Sequence, residues 1–414
     1  MKKELTYVPF TKEMKKDYTI LIPNMLPMHF TFIQKVFDIY GIHAELLLTQ
    51  GQHIKDTGLK YCHNDTCYPA ILVIGQFIDA LQSGKYDPEK TALIMFQTGG
   101  GCRASNYINL IRKAIVKAGF PNVPVISFSF SGLEKHSGFK LTLPMLHRMM
   151  YGIFYADLLM LLRNQCRPYE MKVGESEALA MSWTDRLARE MDSSKISYRK
   201  VKENYKKIIA DFNKIPRREI KKVRVGIVGE IFVKFSPLGN NNLEDFLVSE
   251  GAEVTVPGLL DFMLYSLYNG IVDRKLYGRG KASYPIKKLA YKFLTGKQND
   301  LIKIIEKNSE FDPPTPFDHT IALVQGYIGM GTKMGEGWLL TAEMLELADK
   351  GVKNIVCTQP FGCLPNHICG KGMMKPLKEK NPDINIVAID YDAGATAVNQ
   401  ENRIKLMLAN SNDI

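Results

Sequence analysis

The sequence predicts an α/β fold, and three observations predict it. Short runs of Val, Ile, Leu and Met alternate with helical patterns over residues 18–128. The same alternation returns after residue 223. Between the two, residues 142–220 carry helical periodicity alone. Strands separated by helices call for crossover connections, hence a parallel sheet with helices on its faces. The expected architecture is two Rossmann-like lobes with parallel sheets and helical insertions, and a ligand site between the lobes.

Taken in order, residues 1–17 are polar and read as an extended arm. Residues 18–23 (Tyr-Thr-Ile-Leu-Ile-Pro) read as a short buried strand. A helical pattern follows over 30–40, closed by Gly41, and 44–48 is the next strand. Residues 71–81 continue as a helix. Residues 91–96 form a strand that runs into Gly99-Gly100-Gly101. A helix over 106–118 leads to a strand over 123–128. These elements make an N-terminal α/β lobe over 1–141. Residues 142–220, rich in Met, Leu, Arg, Glu and Lys, form a helical connecting segment that ends in a linker near Pro216. The C-terminal lobe, 221–414, opens with a strand at 223–229, a helix at 243–250 and a strand at 253–256. A Lys- and Arg-rich helical insertion occupies the region near 258–310. The alternation is expected to resume with a strand at 320–324. A helix near 338–350, a strand at 354–357, a helix near 370–380, a strand at 384–389 and a closing helix at 396–409 complete the lobe. The lobes share a grammar but no residue-level repeat.

At 414 residues and 45% hydrophobic, the chain can bury two or three cores. The formal charge of +11 is spread along helices, with no nucleic-acid-binding signature. No secretory signal and no membrane-spanning stretch is read, so the expectation is a cytoplasmic protein without a membrane or nucleic-acid partner. Seven cysteines in a reducing compartment are then metal ligands, reactive thiols or small buried hydrophobes rather than disulfides.

Six of the seven lie on loops at or beside strand ends. Cys62 and Cys67 sit in Cys62-His63-Asn64-Asp65-Thr66-Cys67-Tyr68-Pro69, and Cys102 follows three glycines. Cys357, Cys363 and Cys369 fall in Cys357-Thr358-Gln359-Pro360-Phe361-Gly362-Cys363-Leu364-Pro365-Asn366-His367-Ile368-Cys369. The carboxyl edge of a parallel sheet is where ligands bind. Thiolates converging there suit an iron–sulfur cluster, and adjacent glycines let backbone N–H groups approach it. Cys62, Cys67, Cys102, Cys357, Cys363 and Cys369 are the candidate ligands. Cys357 and Cys369 have core packing as their competing reading, and Cys166 reads as structural. Zinc competes as the metal, although no C-x2-C pair is present. His63 and His367 read as ligands, outer-shell donors or surface residues.

With these loops in view, the sequence resembles the 2-hydroxyacyl-CoA dehydratase activase-related (CoA-protein activase) family. The carrying stretches are Phe10-Thr11-Lys12-Glu13-Met14, Asn64-Asp65-Thr66-Cys67-Tyr68-Pro69, Gly101-Cys102-Arg103 and Gly229-Glu230-Ile231-Phe232-Val233. They continue with Asn240-Asn241-Asn242-Leu243-Glu244, Gly335-Glu336-Gly337-Trp338, Gln359-Pro360-Phe361-Gly362-Cys363-Leu364-Pro365-Asn366-His367 and Ile389-Asp390-Tyr391-Asp392. The resemblance implies a place among dehydratase subunits, which hold one [4Fe–4S] cluster, and proteins with a double-cubane [8Fe–9S] cluster. It implies a separate activator ATPase of the sugar kinase/Hsp70/actin type as electron donor, since this chain shows no such ATPase signature. It further implies a small-molecule or acyl-CoA substrate and a homodimer. The function expected is a low-potential, ATP-dependent reductase component. The alternatives are a 2-hydroxyacyl-CoA dehydratase component and a non-catalytic, zinc-stabilised binding protein.

Candidates for proton transfer or substrate binding are Asp390, Asp392, Glu336 and Arg103. Asp390 and Asp392 read equally as caps of the next helix, and Arg103 as a salt-bridge partner. The glycine-rich stretch 329–337 is expected after a strand and before a helix. It lacks G-x-G-x-x-G spacing, so cluster covering or close packing is preferred to dinucleotide binding.

Overall fold

Eight short strands assemble into two four-stranded, all-parallel sheets of the same order. In the first, β1 (Thr19–Pro23), β2 (Ala44–Leu47), β3 (Thr91–Phe96) and β4 (Val125–Phe128) run β2-β1-β3-β4. In the second, β5 (Arg224–Gly229), β6 (Glu253–Thr255), β7 (Asn354–Pro360) and β8 (Asn385–Tyr391) run β6-β5-β7-β8. The computed structural model describes residues 7–97, 101–128, 137–193 and 196–411. Gly99 and Gly100 of the glycine run therefore lie outside the described residues.

The central strands are apolar without alternation because helices cover both faces. Every residue of β7 is buried, as is every residue of β4. Register is set by pairs such as Leu93↔Val125 and Val228↔Cys357. Helices Pro27–Ile39, Tyr68–Gln82 and Tyr107–Lys117 make the crossovers of the first sheet. Tyr68–Gln82 is buried almost all round, which is why its sequence shows little amphipathic contrast. Its glycine at 75 has a packing cause: a Cβ there would stand 2.0 Å from the Ile54 carbonyl oxygen of helix Gln52–Tyr61.

Helices Leu143–Cys166, Glu175–Glu190 and Tyr198–Asn213 occupy the segment between the sheets in sequence. Asp157, on the first of them, accepts from the Leu259 and Leu260 backbone N–H groups (both 2.9 Å) and lies 2.7 Å from His29 Nε2. One carboxylate thus satisfies the free donors that open helix Leu259–Tyr277 and holds the first crossover helix. A single cluster of buried apolar side chains runs from Phe10 to Met407.

Four local expectations are corrected. Residues 320–324 are helical, within Phe317–Leu323, not a strand. Five apolar residues do not distinguish strand from helix by period. Pro316 starts the helix, and β5 already has β6 and β7 as neighbours, so no slot beside it is open. The glycine-rich stretch therefore follows a helix. Residues Met14–Asp17 form a helical turn rather than extended arm, anchored by the fully buried Phe10, whose carbonyl accepts from Gly138 N (3.0 Å). β7 continues past Cys357 to Pro360, and β8 includes Asp390. Among the described residues, no helix is long and apolar enough to cross a membrane.

Candidate functional site

The strand order decides where chemistry can gather. In each sheet the connections leave in opposite directions after the two central strands, opening a crevice at their carboxyl ends. The loop after β3 carries Cys102, the residue after β5 is Glu230, and the loop after β7 carries Cys363. Cys67 joins them from a helix start, as the N-cap of Tyr68–Gln82.

Backbone contacts lock the loops together. Tyr68 N donates to the Phe361 carbonyl (3.0 Å), and Phe361 N donates to the Tyr391 carbonyl (2.8 Å). Gly362 has φ +72°, and a Cβ there would stand 3.0 Å from the Cys67 Cα. Only glycine meets both the left-handed backbone and the close approach. Gly335 has φ +58°; its missing Cβ would lie 3.0 Å from Pro365 Cγ and 3.7 Å from Cys102 Sγ. Gly101 N donates to Met334 Sδ (3.1 Å), which joins the glycine-rich loop to the Cys102 loop.

Cys102 thereby comes within electrostatic reach of both Cys67 and Cys363; Glu230 is within reach of both of those thiols and Glu336 of Cys363. Cys67 Sγ and Tyr107 Oη are 2.9 Å apart. Burial pushes the Cys67 thiol up to about 12, and the charges of Glu230 and Cys102 add to it while the Tyr107 hydrogen bond opposes. Burial raises Cys363 further, reinforced by Glu336 and Glu230. Without a cation the Cys67 and Cys363 sulfurs hold their protons; a thiophilic ion would have to bind them as thiolates and displace those protons.

The two carboxyl groups clasp one short turn. Glu230 Oε2 accepts from Val233 N (2.9 Å), and Glu336 Oε1 accepts from Ile231 N (2.9 Å). Burial, then the Glu336 charge, raises Glu230 to about 8. Beneath them, Lys234 Nζ donates to Glu343 Oε1 (2.8 Å) in a fully buried ion pair.

The remaining candidates separate. Cys369 is buried and within reach of Glu336, and its carbonyl accepts from Thr341 Oγ1 (2.7 Å). Cys62, half-exposed, donates to Thr66 Oγ1 (3.3 Å). Cys357 is fully buried inside β7, its thiol 3.6 Å from Asn366 Oδ1. Cys166 is buried at the end of helix Leu143–Cys166. Arg103 is exposed. Asp390 pairs with Lys371 (3.1 Å) and Arg403 (3.6 Å), while Asp392 Oδ1 accepts from Gly394 N (2.6 Å). His367 Nδ1 lies 2.7 Å from the Cys363 carbonyl oxygen and 2.8 Å from Gln359 Nε2, so it braces the loop. His63 is exposed and accepts from Asp65 N (3.2 Å).

Glu230 and Tyr107 belong to the site but were not singled out as site residues from sequence. The signal for Glu230 was available: one acid placed directly after the apolar strand Val-Gly-Ile-Val-Gly. Tyr107 carried none, because a tyrosine opening an amphipathic helix reads as core.

Among the described residues, no group of three or more His, Cys, Asp or Glu side chains is arranged to hold a single metal ion. A cubane differs from one ion in spreading its ligand positions over several corners. Cys102 Sγ lies against Gly335 and the Cys67 backbone against Gly362, the residue before Cys363, so two of the three thiol-bearing segments are approached closely by a glycine. A scan against protein-family models finds no match, and a search of the curated proteins finds no relative.

Proposed function

We propose that this chain holds an iron–sulfur cluster on Cys67, Cys102 and Cys363 and acts as a low-potential reductase component. The observation that carries the reading is the meeting of three thiols from three loops with two buried carboxyl groups at the strand ends. When bound, the cluster supplies one-electron chemistry. The chain's own residues do the rest. The cysteines anchor it, Gly335 and Gly362 permit close approach of the backbone, and the flanking apolar core limits water. Glu230 and Glu336 place two buried carboxyl groups, both shifted upward by burial, within electrostatic reach of Cys363. The resemblance to the dehydratase-related family adds a separate ATP-hydrolysing activator as electron source and a small or CoA-linked substrate.

A second reading, a 2-hydroxyacyl-CoA dehydratase component, draws on the same count of three. Cys67, Cys102 and Cys363 would hold the cluster, which would supply a Lewis-acidic iron lacking a protein ligand. The test is iron and acid-labile sulfide per chain after anaerobic purification, with EPR of the reduced protein. About four irons support one cubane on these cysteines, and about eight point to a double cubane that recruits Cys62, Cys357 or Cys369. No iron after reconstitution overturns both readings.

A further inference from the structure

The helical hairpin before the glycine-rich loop has an unusual surface. Between Asp273 and Asp300 there is no acidic residue, against eight Lys and Arg. Large apolar side chains stand exposed among them. Ile286 is 69% exposed and Leu289 70%, and with Phe293 they form one stripe at i, i+3 and i+7 of helix Tyr284–Asn308. The opposite face of that helix is buried through Leu294, Gln298, Leu301 and Ile305. At the hairpin tip, Leu276 and Tyr277 are also exposed.

This patch is continuous with the edge of the thiol site. A Cβ at Gly331 would stand 2.6 Å from Tyr277 Oη and 3.5 Å from Leu276 Cδ1. Lys333 pairs with Asp273 on the hairpin. Met334, next in the loop, is itself exposed and accepts from Gly101 N beside Cys102. A molecule seated on the hairpin tip therefore borders the loop whose Met334 touches Gly101, the residue before Cys102.

We propose that this face is the docking surface for an acidic electron-donor protein. The inference rests on the reading of the thiol site as a redox centre. Charge complementarity selects the sign of the partner, because eight cations between Asp273 and Asp300, with exposed Asp318 beside Tyr291 as an opposing acid, leave a positive excess that disfavours a basic one. Six of the eight cations are lysines, hydrated point charges that steer an encounter without fixing a bidentate geometry. The apolar stripe supplies the modest dry contact of a transient electron-transfer complex. Were a cluster bound on the thiols, it would accept one electron from the donor's reduced centre, which would be oxidised in turn. No bond forms or breaks.

The test uses a plant-type [2Fe–2S] ferredoxin as the acidic probe and the variant K275E/K281E/K288E/K292E, all four lysines being exposed. Binding of immobilised ferredoxin at low ionic strength is expected to weaken by about tenfold or more in the variant, and to weaken for the wild type as salt is raised. In cluster-loaded protein the rate of reduction by ferredoxin should fall similarly, with the rate by dithionite unchanged. Equal ferredoxin binding by wild type and variant, or none by either, overturns the proposal. So does lysine-dependent co-sedimentation with phosphatidylserine vesicles in place of ferredoxin binding, which would assign the patch to a lipid surface. Iron content reports on the redox centre and ferredoxin binding by the iron-free chain reports on the surface, so the two readings fail separately.

Discussion

The two sheets share one strand order yet equip their crevices differently. The first sheet's side contributes sulfur and a phenol: Cys102 beyond β3, with Cys67 and Tyr107 on helices packed against that sheet. The second contributes one sulfur, Cys363, and the acids Glu230 and Glu336, backed by a buried Lys234–Glu343 pair. Topology repeats; chemistry does not. A strand order places a crevice, and the residues just past the central strands decide what it binds. The first half bears thiols, and the second mixes a thiol with buried carboxyl groups whose protonated forms burial favours.

The sharpest way to break this comparison is to remove sulfur from each side. Cys67→Ser, Cys102→Ser and Cys363→Ser should each cut bound iron severely after reconstitution, whereas Cys166→Ala should leave it near wild type. Equal iron in all four would dissolve the distinction between gathered and structural cysteines.

Next in size is the buried pair under the acidic half. Lys234→Met strands Glu343 in the core and should cost about 3–5 kcal/mol at neutral pH, read from the urea midpoint. Burial first raises Glu343 to about 7, with Lys234 opposing. Its folded-state value lies above the unfolded one, so the native chain binds the extra proton between about 4.5 and 7. Its contribution is therefore most favourable in acid and declines as pH rises through that window. Loss of Lys234 removes the opposing charge and should steepen the decline, and K234M/E343L should abolish it.

A smaller effect separates two glycines of like backbone. Gly362 and Gly351 both have positive φ, but only Gly362 has a neighbour within 4 Å of the missing Cβ. Gly351→Ala should cost about 1 kcal/mol in thermal unfolding. Gly362→Ala should cost more and also lower iron content, because the Cys67 loop must shift. Smallest of all, Asp390→Asn removes surface ion pairs worth about 0–1 kcal/mol and should leave iron content unchanged. A loss of iron would return Asp390 to the site.

The legible part of the fold was the part written in short-range pattern. All eight strands lie on the apolar runs expected of them, with ends that differ by at most three residues, the largest difference being the extension of β7 to Pro360. The misread run at 320–324 shows the limit. Its apolar residues fit either period, and the choice belonged to Pro316 and to a sheet already closed around β5. For the site, Cys62, Cys67, Cys102 and Cys363 stood out because a polar or glycine-bounded loop is a poor place for a buried hydrophobe, and of the four Cys62 is half-exposed and bonded to Thr66 instead. Cys357 misled at its boundary: three more strand residues follow it, so its thiol faces Asn366 inside the sheet layer.

By itself, then, the sequence determined the alternation of strands and helices, the parallel class that alternation requires, and the placement of three cysteines and their glycines on loops. Each follows from local steric and hydrophobic preferences that neighbours along the chain express. Only the tertiary structure decided that Cys67, Cys102 and Cys363, separated by up to hundreds of residues, meet beside Glu230 and Glu336, and that Cys357 and Cys166 are packed into the interior. Strand order and helix packing set those distances, and neither is a property of any one segment.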